Sequence, residues 1–541
     1  MSENANDDDK NDECTKPEAL EAGVASRVST NEQLGASNDT TAAKCEEPES
    51  NFDVWWSEPE NEDPANPRNW SNSRKWTIIA SLSLVTFLTP LASSMSAPGV
   101  PQILADFKTD STILATFVIS IFVLGFAFGP LVIAPLSEWT GRVPVYHACN
   151  ILFLIFTILC AVSKNMAMLI VFRFLAGFAG VAPITCGSGT IADLMPPERR
   201  GVAMSLWSLG PLFGPIIGPI AGGFLVEAKD WRWVFWVIAI VVRNHLRDHH
   251  ASIVKTDHRI VNEQSGASTI VCFFTLKETY PPILLERKAD QLRKETGNPS
   301  YQSRLHSDLP KKELFIRSII RPMKMLLLSP IIFLMCSYVA IMYGLLYILF
   351  TTYTFVFEDE YGFSSGTAGL AFLGSGVGML LGLGFAATQS DKRIKRKIAL
   401  GEPILPEDRL RYPIIIPACL GLPAGLFIYG WSTKYHVHWI VPQIGNAVIG
   451  FAVIGILMCI QTYLVDAFAI HAASATAANT VLRSLLGAVF PLFGLKLYDK
   501  IGLGWGNSLL GFIALAIAPI PLGFRIFGER IRTNPTWQVK F

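Results

Sequence analysis

Two arginines lie inside stretches of sequence that are otherwise apolar enough to sit in lipid. Arg173 is in the stretch 167–192 and Arg483 is in the stretch 473–496. A cation at the bilayer centre costs about 2.5–3.5 kcal/mol even on lenient insertion scales, so it persists only beside a partner or a polar cavity. We interpret Arg173 as a cavity residue, with structural pairing as the alternative. For Arg483 a cavity position and a pair with a neighbouring helix both stay open.

Glycines and prolines dominate a third stretch, Ser208–Leu225. Glycines recur there at nearly four-residue spacing, and several are followed by a proline: Gly210, Gly214, Pro215, Gly218, Pro219, Gly222 and Gly223. Glycines at i, i+4 and i+8 form a bare stripe on a helix, so a neighbouring backbone can approach closely. The prolines predict a bent helix, because each removes a backbone donor that neighbouring groups must compensate.

Composition indicates that these features belong to a membrane protein. Half of the 541 residues are hydrophobic and 16% are charged, and a net charge of +1 gives no basic field for nucleic acid. The nine cysteines are scattered without metal-ligand spacing, so we interpret them as free thiols and expect no metal or cofactor. No catalytic constellation is present in the sequence, which argues against an enzyme.

Eleven stretches are long enough to cross a hydrocarbon layer about 30 Å thick, which takes roughly 20 apolar residues. They are 76–97, 112–136, 145–163, 167–192, 202–226, 329–357, 365–388, 412–432, 438–465, 473–496 and 505–527. A twelfth begins near Trp231 and stops at Arg243, and apolar sequence resumes at 265–276. The predicted fold is an all-α membrane protein with twelve transmembrane helices in two six-helix halves.

The charged segment Val242–Gln264 interrupts this sixth span and cannot lie in lipid. Removing it joins two half-spans into one span of ordinary length and keeps the reading frame. Its first residues can be encoded as GTACGTAAT, which looks like a 5′ splice site, and Gln264 can be the CAG of a 3′ site. We hypothesise that 242–264 is a retained intron within the gene model. A genuine insertion that splits the helix is the alternative.

The remaining chain divides around the spans. We predict a disordered cytosolic tail at 1–75, a first half at 76–276, a cytosolic loop at 277–328, a second half at 329–527 and a cytosolic tail at 528–541. Lys and Arg are concentrated in the loops on the side of both termini, which indicates that this side is cytosolic.

Charged residues also mark the predicted ends of several spans. Glu138 and Arg142 flank Gly141 after span 2, where they either clamp the inward face shut or form an ordinary solvated loop. Asp193 and Asp466 end spans 4 and 10, at equivalent positions of the two halves. A carboxylate is unfavourable at a helix C-terminus, so we expect each to pair with a loop arginine.

These motifs, in this order, resemble the major facilitator superfamily. Ala134–Arg142 resembles the loop 2–3 signature, Arg173–Gly177 the span 4 arginine motif and Gly210–Gly223 the antiporter motif of span 5. The signature usually has glycine at Ala134 and aspartate at Glu138. With the NPRNW sequence before span 1 and Arg483-Ser484 in span 11, the chain looks like the fungal twelve-spanner drug:proton antiporters.

The resemblance implies a mechanism and a set of site residues. It implies alternating access by a rocker-switch, a gating role for the loop 2–3 motif, proton coupling through Arg173 and a span 5 helix at the seam between the halves. It also implies a central cavity lined by spans 1, 4, 7 and 10, which here offer Thr89, Ser93, Tyr343, Tyr347, Asn446 and Gln461.

The expected function is export of drugs, toxic metabolites or polyamines by a monomeric proton-coupled antiporter. We expect it in the lipid bilayer of the plasma membrane, with the vacuolar membrane as an alternative. The hydroxyl-rich and aromatic wall suits amphipathic or cationic small molecules. Alternatives are a proton symporter of a small nutrient, a receptor or sensor, and a non-functional product if the insertion is translated.

Overall fold

The computed structural model describes residues 52–254, 277–306, 311–402, 405–468 and 472–534, and these are helical almost throughout. The α-helices are α1 (Asn72–Ser94), α2 (Val100–Asp106), α3 (Thr112–Thr140), α4 (Arg142–Ala161), α5 (Met166–Gly180), α6 (Ala182–Leu194), α7 (Pro197–Ala228), α8 (Trp231–Val254), α9 (Pro281–Thr296), α10 (Lys311–Leu328), α11 (Pro330–Tyr361), α12 (Ser365–Ala368), α13 (Phe372–Ala399), α14 (Tyr412–Lys434), α15 (Ile440–Ala467), α16 (Ala472–Val489), α17 (Pro491–Ile517) and α18 (Pro519–Thr533). Two short strands, β1 (Asp53–Val54) and β2 (Gln302–Ser303), pair in parallel.

Ten stretches of the described chain are long and apolar enough to cross a membrane. One of them, Ser474–Thr533, contains two crossings, because the helix breaks at Gly502 (φ 76°, ψ 164°). Across this break the Tyr498 hydroxyl donates to Asn507 Oδ1 at 3.0 Å, whereas a continuous helix would separate the two residues by about 14 Å. The eleven complete spans and the all-α class predicted from the sequence are therefore confirmed.

Several helices begin with a side chain that accepts a hydrogen bond from the first turn. The Ser71 and Ser111 hydroxyls accept from the third residue of α1 and of α3, each at 3.4 Å, and Asn165 Oδ1 accepts from Met168 N at 2.8 Å. Such caps stabilise a helix start by about 1 kcal/mol. They fix where α1, α3 and α5 enter the bundle.

Three clusters of buried hydrophobic side chains fill the interior of the described chain. The first core packs residues of α1 and α3 to α8, such as Ile78, and the second packs mainly residues of α11 to α18, such as Tyr353, together with some from the first half, such as Leu212. A third, smaller cluster includes Trp231. Between the halves, α3 packs on α16 and α17, while α7 packs on α12 and α13. The halves therefore meet along two seams, on either side of the bundle.

The glycine stripe of α7 packs against the backbone of α1, within the first half. This holds for Gly210, Gly214, Gly218 and Gly222. A β-carbon at Gly214 would lie 2.7 Å from the Leu91 amide nitrogen, so the close helix approach predicted from the spacing is confirmed. Gly223 faces the other half instead, since its β-carbon would lie 2.5 Å from the Ser365 carbonyl oxygen. Of the glycine stripe expected at the boundary between the halves, only the end near Gly223 therefore contacts the second half.

The segment 52–71 has defined contacts, which differs from the disordered tail predicted for 1–75. It lies against α9: β1 pairs with β2, and Lys288 Nζ donates to the Trp55 carbonyl oxygen at 2.9 Å. The predicted loop 277–328 likewise contains α9 and α10, and α18 extends to Thr533, beyond the predicted end of the second half at 527. Residues 1–51 lie outside the described part.

Asp63 is the centre of the contact between this segment and α9. Its side chain is buried, accepts from Ser57 N at 2.7 Å and Ala65 N at 2.8 Å, and lies 3.5 Å from Lys288 Nζ. Burial raises the pKa of Asp63, but the two N–H groups and the Lys288 charge outweigh it and hold the pKa below its ordinary value.

The sixth span is described only in its first part. Helix α8 continues from Trp231 to Val254, past the predicted start of the insertion at Val242, whose side chain is buried in the first core. Residues 255–276 lie outside the described ranges. The retained-intron hypothesis for 242–264 stays a prediction at this point.

Candidate transport site and gate

A buried carboxylate organises the terminal face, the face of the bundle at which α1 begins and α18 ends. Glu278 is 7% exposed and accepts hydrogen bonds from four backbone N–H groups. Oε1 accepts from Arg142 N at 3.0 Å, Thr279 N at 3.1 Å and Tyr280 N at 3.1 Å, and Oε2 accepts from Val143 N at 3.2 Å. Two of these groups are free donors in the first turn of α4, where a negative charge is stabilising.

Gly141 allows the Glu278 carboxylate to lie close to the backbone at the start of α4. It lies between α3 and α4 with a φ of 103°, in the left-handed region that favours glycine. A β-carbon at Gly141 would overlap the Glu278 carboxylate. The glycine predicted as part of the gating loop is therefore required by the backbone turn and by the carboxylate above it.

The Arg142 side chain joins three elements of the first half. It donates from Nη1 to Ser137 Oγ at 3.0 Å on α3, and its Nε lies 3.6 Å from Asp193 Oδ2 on α6. Its guanidinium carbon lies 4.8 Å from the centre of the Tyr280 ring. Glu138 is half-buried, within electrostatic reach of Arg142 and of Arg321 on α10. The predicted gating residues are thus brought together into one charge cluster.

Tyr280 closes this cluster on the side of α9. Burial raises its pKa to about 12, and the negative charges of Glu138 and Asp193 act in the same direction, against Arg142. The phenol is therefore neutral at physiological pH, and its ring offers the Arg142 cation a π face.

A corresponding cluster lies at the end of the second half. Arg409 Nε lies 2.7 Å from Asp466 Oδ2, and Lys397 Nζ lies 2.6 Å from Asp408 Oδ2. The predicted pairing of both aspartates with loop arginines is confirmed, since Asp193 pairs with Arg142 and Asp466 pairs with Arg409. Both halves therefore fix the loop after their second span with arginine and carboxylate pairs.

Besides Asp63, sequence reasoning missed three buried carboxylates, Glu278, Glu407 and Asp408, each less than 8% exposed. Glu407 lies 3.3 Å from Arg532 Nε, which holds α18 to the loop before α14. A signal was available for Glu278, which is the first acid after the apolar run 265–276. A carboxylate directly at a span end has little water around it and needs donors.

Arg173 lies in the interior of the first half and is 1% exposed. Its Nε donates to the Val118 carbonyl at 2.7 Å, and its two terminal nitrogens donate to the Ala92 carbonyl at 3.4 Å and the Ser93 carbonyl at 3.0 Å. The Phe122 ring lies 5.1 Å from its guanidinium carbon. Arg173 therefore ties α5 to α1 and α3 through backbone oxygens.

The residues predicted to line the cavity do not form one site. Thr89 Oγ1 donates to the Gly180 carbonyl at 2.7 Å, joining α1 to α5. Asn446 is fully buried near the start of α15, and neither of its amide atoms has a hydrogen-bond partner in the described chain. Gln461 lies about 22 Å further along the same helix, towards the terminal face.

Ser93, Tyr343, Tyr347 and Arg483 do come together, at the boundary between the halves. The Tyr343 and Tyr347 rings are 4.9 Å apart, and the Tyr343 hydroxyl donates to the Tyr347 oxygen at 3.5 Å. The Arg483 guanidinium carbon lies 5.2 Å from the centre of the Tyr343 ring. Ser93 of α1 lies beside the Tyr347 hydroxyl. We call these four residues the central cluster.

The family follows from comparison of the whole chain with known proteins. The model of the Major Facilitator Superfamily matches residues 82–242 and 265–491. This chain belongs to the Major Facilitator Superfamily. The match spans most of both halves, and it passes over residues 243–264.

Fungal members of the superfamily are similar to this chain along most of its length. The efflux pump radE of Floropilus chiversii is 49% identical over 510 residues, covering 94% of this chain and 89% of the relative. The MFS-type transporter penM of Penicillium rubens is 50% identical over 488 residues, covering 90% and 91%. The predicted resemblance to fungal efflux transporters of the superfamily is confirmed.

Solved structures of the superfamily share the fold. The partially occluded inward-open xylose transporter XylE from E. coli covers 87% of this chain and 100% of its own, with a TM-score of 0.57 and 16% identity. A bacterial homologue of the human lysosomal transporter Spinster, inward-facing and occupied, gives a TM-score of 0.56 at 14% identity and the same coverage. These structures show the fold. The family match and the fungal relatives show that the protein is a multi-pass membrane transporter for a small molecule and not an enzyme.

Proposed function

We propose that this transporter exports amphipathic organic molecules in exchange for protons, by rocking its two halves about the central cluster. The similarity to a protein named an efflux pump over nearly the whole chain carries the direction of transport. The charge clusters around Arg142 and Arg409 support the rocking motion, because they hold the loops of each half as separate rigid units.

Proton coupling is assigned to carboxylates at the ends of the spans. Within the predicted spans the sequence places no Asp or Glu away from the span ends, and arginine stays protonated in proteins. Arg173 therefore contributes to coupling by positioning α1, α3 and α5, as its three carbonyl contacts support. Asp193, beside Arg142 at the terminal face, is our candidate proton carrier.

The terminal face is assigned to the cytosol and the protein to the plasma membrane. Arg142, Lys397, Arg409 and Arg532 lie at this face, and an excess of basic residues marks the cytosolic side of short loops. An exporter of toxic molecules acts usefully at the cell boundary, and the vacuolar membrane is the alternative.

The working transporter, in this proposal, lacks residues 242–264. Trp231 Nε1 donates to Asp106 Oδ2 at 2.9 Å at the face opposite the termini, while Glu278 is held at the terminal face. Without the segment, about 25 residues join these two anchors, and a helix of that length spans about 37 Å, which suits one crossing. With it, the helix would be nearly twice as long. The family match, which resumes at residue 265, supports the same boundary.

The test is to express the full chain and the form lacking 242–264 in a host whose own drug pumps are deleted. We expect the shorter form to give resistance to a panel of toxic compounds, and a protonophore to abolish that resistance. Resistance that survives the protonophore, or none from either form, contradicts proton-coupled export. Transcript reads that always contain the segment contradict the retained intron.

A further inference from the structure

The two arginines inside the membrane differ in how their charge is satisfied. Arg173 donates to three carbonyl oxygens and is enclosed by aromatic rings, so its donors are occupied. Arg483 is half-buried, and its buried Nε has no hydrogen-bond partner. In the described part of the chain it makes an aromatic contact with Tyr343 and no ion pair. Among the described residues no side chain or carbonyl accepts from Arg483 Nε, so this N–H can donate to a ligand.

Arg483 lies about half-way through the membrane. It is about 16 Å along α16 from the start of that helix, compared with a hydrocarbon layer of about 30 Å. The interiors of the predicted spans contain no Asp or Glu anywhere in the sequence. Because a cation at this depth is costly without a counter-charge, the protein leaves a positive charge that an incoming molecule can neutralise.

The surroundings of Arg483 suit an aromatic or apolar acid. The Tyr343 ring lies 5.2 Å from the Arg483 guanidinium carbon, and the Tyr347 ring lies 4.9 Å from the Tyr343 ring. Gly487, one turn along α16, lets Tyr343 pack closely against this helix, because a β-carbon there would lie 2.9 Å from the ring. Asn479, one turn in the other direction, is 2% exposed, and its Oδ1 has no hydrogen-bond partner within the described residues. These polar groups and rings lie on one stretch of the boundary between the halves.

We propose that Arg483, assisted by Tyr343, is a specificity-determining residue that binds the acidic oxygen of the exported molecule. The class of substrate is an amphipathic organic acid: a carboxylate, phenolate or enolate on an apolar or aromatic body. A guanidinium holds such an oxygen through two parallel N–H groups, and the tyrosine rings cover the body. Amines, including the polyamines and cations expected from the sequence, are disfavoured by the same charge. This inference rests on the proposed export function and narrows its substrates.

The test uses three probes with the same aromatic body: pyrenebutyric acid, pyrenebutanol and pyrenebutylamine. Binding is measured as ligand-induced thermal stabilisation of the purified protein, and export is measured from loaded cells, for the full chain and for the form lacking 242–264. We expect the acid to bind most tightly. Arg483→Gln should weaken acid binding roughly 10- to 100-fold and leave binding of the alcohol within about threefold.

Three further variants isolate the charge. Arg483→Lys should keep part of the preference for the acid, and Tyr343→Phe should weaken acid binding while retaining the fold. Lys496→Gln removes a positive charge from an exposed position on α17 and should change nothing. Failure of the wild type to bind the acid, equal binding of all three probes, or an unchanged preference in Arg483→Gln overturns the assignment. Arg483-dependent binding without export contradicts the proposed function and leaves the binding site intact.

Discussion

Replacing Glu278 by glutamine isolates the contribution of one carboxylate to the terminal face. Glutamine keeps one oxygen, which can still accept from the three N–H groups at Oε1, but its amide nitrogen then faces the Val143 N–H, a second donor. Loss of a hydrogen bond to a charged group costs about 1.5–3 kcal/mol. Loss of the charge at the start of α4 adds roughly 0.5–1 kcal/mol.

The free energy of unfolding should therefore fall by about 2–4 kcal/mol, and the thermal midpoint by roughly 2–4 °C for a chain of this length. The assay is thermal unfolding of the purified transporter followed by tryptophan fluorescence. Glu286→Gln is the matched control, because Glu286 pairs with Arg293 at 3.1 Å at the surface of α9, and such pairs contribute about 0–1 kcal/mol. If both variants melt at the same temperature, Glu278 does not hold α4 in the way described.

Three further predictions concern Arg173, the glycine stripe and the segment 52–71. Arg173→Gln leaves buried carbonyls without donors, so the yield of folded protein by size-exclusion chromatography should drop sharply. Normal yield together with normal export would exclude both the structural role of Arg173 in holding α5 to α1 and α3 and its role in proton coupling. Gly218→Leu places a β-carbon 2.9 Å from a backbone oxygen of α1 and should lower the free energy of unfolding by about 1–3 kcal/mol or more. Gly384→Leu is the control, because the space around Gly384 is open and the substitution should be neutral. Equal export by the two variants would show that the stripe tolerates a bulky side chain. The folded-state pKa of Asp63 lies below its ordinary value, so its stabilisation is complete above about pH 4 and is lost as the pH falls through the folded-state pKa. Amide-exchange protection factors of residues 57–65, corrected for the intrinsic rate at each pH, should therefore fall in acid, and Asp63→Asn should lower them at pH 7. Unchanged protection factors in both cases would contradict the role of Asp63.

Periodicity and length were enough to predict the spans, since a bilayer demands about 20 apolar residues from every crossing helix. The same demand marks the sixth span as interrupted in the sequence, because the charged run that begins at Arg243 cannot lie in lipid. Glycine spacing predicted close packing for α7. It did not predict the partner, because a bare helix face fits any neighbouring backbone.

Arg173 and Arg483 show where sequence reasoning ends. Both are single arginines in apolar spans, and local sequence gives them nearly the same interpretation. The fold gives Arg173 three carbonyls from α1 and α3 and gives Arg483 one tyrosine ring. A residue pattern does not predict which backbone oxygens of other helices reach a side chain. Only the packing of the helices therefore shows that Arg173 is hydrogen-bonded to carbonyls while, among the described residues, Arg483 is not.

The sequence by itself determined the class of protein, the eleven complete spans, the two halves and the loops that pair with Asp193 and Asp466. These follow from hydrophobicity, helix geometry and the need to neutralise charge near lipid. Tertiary structure alone decided that Glu278 caps α4, that the glycine stripe packs on α1, and that Ser93, Tyr343, Tyr347 and Arg483 meet while Gln461 lies elsewhere. The physical reason is that these contacts join residues far apart in the chain, and a helix pattern fixes a face without fixing what covers it.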